Sequence, residues 1–125
     1  MTPGILVGLC VAGALGATAR YLLDGAVQSH ATGRLPWGTF VVNVTGSLLA
    51  GLVTGAALYH ALPTAPRVWL AVGFAGSYTT FSALTFETVR LIEEGTLAGG
   101  FLNAVGSLVV GTAAAAAGLA VAAAL

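Results

Sequence analysis

The sequence predicts an all-α integral membrane protein with four transmembrane helices, the third of them broken. Three observations carry that reading. Of 125 residues, 58% are hydrophobic and only 6% are charged, whereas a soluble domain carries about a quarter charged residues. Four apolar stretches reach the roughly 20 residues that a spanning helix needs. The third contains Gly73-Phe74-Ala75-Gly76-Ser77-Tyr78-Thr79-Thr80-Phe81-Ser82, whose glycines, serine and adjacent threonines loosen a helical backbone at mid-depth. Lipid supplies no substitute hydrogen-bond partners. Irregular backbone at that depth is therefore tolerated only where protein or a water-filled cavity surrounds it, and it marks ion or substrate sites.

The chain reads as a single transmembrane domain, 1–125, with spans at about 4–23, 36–59, 67–91 and 98–125. The first is read as a spanning helix and not as a signal peptide. Met1 to Pro3 carries no basic side chain, the apolar run is long, and Ala17-Thr18-Ala19 only imitates a cleavage site. Asp24 to Leu35 is expected to be a polar connection. Pro36 suits the first turn of the second span, and His60 to Pro66 is a short turn with two prolines. Glu93, Glu94 and Gly95 close the third span, and the fourth ends in an alanine-rich stretch.

Four crossings put both termini on one side. Arg20, Arg34 and Arg90 fall on the loop side and Arg67 on the terminal side. Setting aside Arg20 and Arg90, which sit in or at the ends of helices, leaves one arginine against one, a balance compatible with either orientation. Small residues recur at four-residue spacing, Gly4, Gly8, Ala12 and Gly16 in one stripe and Gly51 and Gly55 in another. Such stripes let helices approach closely, because association in lipid depends on packing. Four thin helices leave little interior, so a solute pathway calls for an oligomer.

Polar residues inside the spans are few. Thr39, Asn43 and Ser47 share a face of the second span. Asn103, Ser107 and Gly111 share one of the fourth, and Thr79, Thr80, Ser82 and Thr85 cluster in the third. They fit either a narrow hydrogen-bonding track or glue between helices. For Asn43 the two readings are evenly balanced, because its amide carries two donors and is awkward to bury idle. Arg20, Glu87 and Arg90 are the ionisable groups nearest the interior, where charges are costly and tend to be paired or functional. Glu87 and Arg90, three apart, suit a local ion pair. Arg20 suits either snorkelling to the interface or a positive vestibule for an anion. Phe81 follows the loosened stretch and is either packing or an aromatic edge that can face an anion. Cys10 reads as a small packing residue. His30 and His60 are expected at headgroup level. No lysine is present, and no basic cluster for nucleic acid. No metal-ligand cluster, phosphate loop or nucleotide fingerprint appears, and the chain does not read as an enzyme.

Along nearly its whole length the chain resembles the CrcB/Fluc family of fluoride channels. The matching pieces are Gly13-Ala14-Leu15-Gly16-Ala17-Thr18-Ala19-Arg20-Tyr21, then Pro36-Trp37-Gly38-Thr39-Phe40-Val41-Val42-Asn43-Val44-Thr45-Gly46-Ser47, then the Gly73–Ser82 run with Glu87 beyond it. Asn103, Ser107 and Gly111 echo a looser pattern. The resemblance implies a plasma-membrane channel that exports fluoride passively and lowers its toxicity. It implies an antiparallel, dual-topology dimer whose broken third helices cross at the centre. A structural sodium ion would be held there by the backbone carbonyls of Gly76 and Thr79, the glycine permitting the backbone angles. Asn43, Phe81, Thr39, Ser82, Ser107 and Asn103 would line the fluoride pathway, with Arg20 in the vestibule and Glu87 beside it. The family commonly reads Thr-Thr-Phe-Ser-Thr-Phe, where this chain has Thr79-Thr80-Phe81-Ser82-Ala83-Leu84, and its usual glycine pair reads Gly76-Ser77. A homodimer and a heterodimer with a related four-span subunit both stay open, as does a non-conducting partner subunit. A small proton-coupled multidrug transporter is disfavoured, because it needs a carboxylate within the first span and Gly4 to Leu23 has none.

Overall fold

A computed structural model describes residues 1–125 as helices joined by short turns, without strands. Helix α1 runs from Pro3 to His30, with Pro3 in its first turn and the Thr2 hydroxyl accepting the Ile5 N–H. It thus runs on past Leu23 through residues expected to form a polar connection. The reason lies in its neighbours. Gln28 Oε1 accepts the Gly38 N–H at 3.2 Å, and Asp24 sits where a Cβ on Gly38 would fall. The polar turns of α1 therefore cap the start of α2, whose orphan amides need acceptors. A cap from Pro36 is lacking. His30 Nδ1 lies 2.8 Å from the Ala26 carbonyl in the last turn.

Helix α2, Trp37–Tyr59, is the centre of the bundle. Helix α6, Leu97–Ala124, packs along it. Their approach is set by glycine: a Cβ on Gly51 would strike the Ala115 carbonyl, and one on Gly118 would strike the backbone of Leu48 and Leu52. His60, just past α2, places Nε2 2.6 Å from the Ala122 carbonyl, which can only accept. His60 is therefore tied to the end of α6 and does not simply face headgroups.

Between α2 and α6 the chain from Thr64 to Glu93 is built of shorter pieces. Helix α3 (Thr64–Arg67) leads into a π-helical stretch, π1 (Val68–Ala75), then α4 (Gly76–Tyr78) and, after two extended residues, α5 (Phe81–Glu93). The first glycine stripe of α1 receives π1. Trp69 covers Gly8 and donates from Nε1 to the Ile5 carbonyl at 3.0 Å, and the Phe74 backbone lies against Gly16. Cys10 stands exposed instead of packed. Helix α5 is closed by Gly95, two residues past its end, where φ is +82°. The Gly95 and Thr96 amides turn back to the Ile92 and Leu91 carbonyls at 3.0 and 2.8 Å, an end that needs a left-handed residue and hence a glycine. Helices α1, α2 and α6 are each long and apolar enough to cross a membrane.

Candidate functional site

The irregular backbone falls on two threonines. Thr79 has φ −78°, ψ 156° and Thr80 has φ −146°, ψ 115°, extended angles that β-branched residues favour. Gly76 has φ −64°, ψ −34°, ordinary right-handed helix, so its conformational freedom is not what opens the backbone. Asn43 on α2 spans the gap. Its Oδ1 accepts the Thr80 N–H at 2.7 Å, and its Nδ2 donates to the Thr80 carbonyl at 2.9 Å. One side-chain amide thus satisfies both backbone groups of one extended residue. The Thr80 hydroxyl accepts the Ala83 N–H at 3.1 Å and starts α5. Asn43 keeps one N–H uncommitted.

Around this point residues of α2, π1, α4, α5 and α6 line an open groove of about 700 Å³. Asn43, Gly76, Thr79, Phe81, Leu84 and Ser107 all border it. Phe81 is 78% exposed. Ser107 is only 8% exposed, and its Oγ has no hydrogen-bond partner within the protein. Buried hydroxyls are nearly always partnered, which singles this one out.

The remaining candidates lie outside the groove. Thr39, buried, donates to Glu87 Oε1 at 2.9 Å, and Glu87 Oε2 is buried without a partner. Glu87, Asp24, Gln28 and Arg90 border a second pocket of about 590 Å³. Arg90 pairs with Glu94, Nε to Oε1 at 3.7 Å. The Glu87–Arg90 pair is thus not formed, because Glu87 turns to α2 and Arg90 turns down its own helix. Asn103 reaches the groove only through Thr88, to whose hydroxyl Nδ2 donates at 2.9 Å. Ser82 is exposed on α5, and Arg20, half-buried on α1, makes no ion pair. One contributor, Thr88, was not singled out from sequence and had no signal. Thr80 was named within the loosened stretch, though not as the residue that starts α5, for which a threonine directly before a helix carries the ordinary mark of an N-cap.

Residues 7–119 match the family described as CrcB-like protein, Camphor Resistance (CrcB). The chain belongs to that family. It is 44% identical over 119 residues to the fluoride-specific ion channel FluC 1 of Leifsonia xyli subsp. xyli, covering 95% of this chain and 87% of that protein. It is 47% identical over 110 residues to the fluoride-specific ion channel FluC of Nitratidesulfovibrio vulgaris, 87% of each. It is 41% identical over 115 residues to that of Nitrobacter winogradskyi, 91% of each. Membership of this CrcB-like family, together with three membrane-length apolar helices, makes the chain a multi-pass membrane protein, which in bacteria resides in the plasma membrane.

Proposed function

We propose that this chain is a fluoride-selective passive ion channel that lets fluoride leave the cell. The observation that carries the reading is the buried, partnerless Ser107 hydroxyl, on a residue that borders the same groove as Asn43 and Phe81. The names of the relatives support the choice of ion. Fluoride is small and strongly hydrated, so a pathway must replace its water with close donors while holding it at no single site too tightly. The Ser107 hydroxyl, the spare Asn43 N–H and the positive edge of the Phe81 ring are such donors. Thr39, one turn before Asn43, and Ser82, one residue after Phe81, extend the pathway, and Asn103 holds Thr88 at its wall. Arg20 and Glu87 belong to its approaches. A membrane potential supplies the drive: about 2.3 kcal/mol per charge per 100 mV, or roughly fiftyfold lower internal fluoride.

The stretch Thr64–Glu93 is then the third crossing, broken at Thr79 and Thr80, and the working unit is an antiparallel pair of chains. Exposure of Phe81 and Gly76 on the open side of the groove supports a second copy there. A Cβ on Gly76 would meet only the Ala71 carbonyl, at 3.7 Å, so its bareness serves no contact within one chain. Between two copies the Gly76 and Thr79 carbonyls would hold a structural sodium ion. Carbonyl oxygens are hard ligands and suit a hard cation. Leu84 borders the groove where the resemblance implies a second phenylalanine, which favours one alternative: a separately encoded, related subunit supplies that ring. Purified chain in liposomes tests both readings. Fluoride efflux far above chloride efflux is expected of the chain alone. Efflux equal to that of protein-free vesicles refutes the self-sufficient channel, and efflux only after a related subunit is added selects the heterodimer.

A further inference from the structure

In an unbroken α-helix each carbonyl is taken by the amide four residues on. The Gly76 carbonyl would take the Thr80 N–H, and the Thr79 carbonyl would take the Ala83 N–H. Both amides are diverted here. The Thr80 N–H donates to Asn43 Oδ1 at 2.7 Å, and the Ala83 N–H donates to the Thr80 hydroxyl at 3.1 Å. The Thr79 N–H cannot substitute, because it donates to the Ala75 carbonyl at 3.0 Å, as does its hydroxyl at 2.9 Å. No side chain donates to either vacated carbonyl.

We infer that Asn43 and Thr80 are positioning residues for the cation site: their side chains take the two amides that would otherwise occupy the Gly76 and Thr79 carbonyls, and so leave those oxygens to a hard cation. The inference rests on the reading that these carbonyls hold sodium. It adds a cause: the oxygens are available because two side-chain acceptors, one on α2 and one at the head of α5, hold residues 79 and 80 extended and keep those amides off the helical path. It also gives Asn43 a second task beside its spare N–H toward the anion groove. The residue that faces fluoride and the residue that readies the sodium site are the same.

The test uses the full-length purified protein in detergent. Its thermal unfolding is followed while sodium chloride replaces N-methylglucamine chloride at constant ionic strength, without fluoride. The wild type should melt higher as sodium rises. Thr80→Val keeps the branching at Cβ but has no acceptor, so nothing holds the Ala83 amide off the helical path, and residues 79 and 80 can close into helix, where that amide takes the Thr79 carbonyl. Its half-saturating sodium concentration should rise about tenfold or more, the usual effect of losing a residue that orients a metal ligand. Its melting without sodium should fall only by what the loss of one helix cap costs. Thr80→Ser restores the acceptor and should restore the sodium response. Asn43→Leu should weaken the response likewise. If that variant does not fold, the threonine pair decides alone. A Thr80→Val protein with the sodium response of the wild type overturns the inference while leaving the sodium site standing. A wild type that ignores sodium overturns the sodium reading and the inference with it.

Discussion

Ser107→Ala separates a residue held for the fold from one held for the ion. Serine hydroxyls in membrane helices ordinarily return their cost by bonding a neighbouring helix, and deleting such a bond destabilises by about 0.5–1.5 kcal/mol. Ser107 makes no such bond, although it is 8% exposed and its Oγ is shielded. Removing a buried, unsatisfied polar group relieves a penalty of about 1–3 kcal/mol. Alanine is only one oxygen smaller, so the cavity left is slight. The fold should therefore be unchanged or more stable by about 1 kcal/mol. Transport should move the other way. A hydrogen bond to a charged partner contributes about 1.5–3 kcal/mol, and losing it where the ion is stripped of water corresponds to roughly 10- to 150-fold in rate. Fluoride efflux from liposomes, read with a fluoride electrode, gives the rate, and denaturant unfolding in mild detergent gives the stability. Wild-type efflux from Ser107→Ala would refute the assignment of its hydroxyl to the pathway. A stability loss above about 1 kcal/mol would show an ordinary structural serine.

Thr39→Val removes the only donor to Glu87 and leaves both carboxylate oxygens without partners. Unfolding in detergent should show a loss of about 1.5–3 kcal/mol that Thr39→Ser recovers. Gly118→Val drives a side chain into the backbone of Leu48 and Leu52 and should cost about 1–3 kcal/mol or more. Gly4→Val, with nothing within 4 Å of its Cβ, should be neutral in the same measurement. Gly76→Leu places its Cβ where only the Ala71 carbonyl lies within 4 Å, at 3.7 Å. It should keep its helical content by circular dichroism yet fail to associate. A variant that cross-links in membranes as well as the wild type would remove Gly76 from the proposed contact between copies.

Apolar length and the near absence of charge were enough to read the class of this chain, because in lipid the backbone can only close on itself as helices or barrels. The three motifs were enough to read its family. Finer features depended on partners far along the chain. Asp24 to His30 looks like a loop by polarity, yet it is helical, with Gln28 accepting the Gly38 N–H at the start of α2 and Asp24 packed against Gly38. The run Val68 to Ala75 is uniformly apolar, and such a run carries no period that could separate a π-helix from an α-helix. The glycine-rich run drew attention to the right ten residues, but the extended angles belong to Thr79 and Thr80, where branching at Cβ favours them. Asn43 could be recognised as awkward to bury. That its partner is the backbone of a residue 37 positions away is a property of how α2 meets α4 and α5.

The small and polar residues of this chain divide by what they touch. Gly8, Gly16, Gly51 and Gly118 each face a neighbouring helix where a Cβ would collide, and they account for how thin helices pack without a large core. Thr39, Asn43, Thr80 and Asn103 each have a bonded partner. Within one chain, what stays unanswered is the Ser107 hydroxyl, one oxygen of Glu87, the bare surface of Gly76 and the exposed ring of Phe81. Unanswered polar groups cost stability at full rate in a low-dielectric interior. In the proposed channel a small anion would answer the Ser107 hydroxyl beside the groove, and a second copy would cover Gly76 and Phe81. The extended pair Thr79–Thr80 joins the two, because Asn43, which holds it open, also borders the groove.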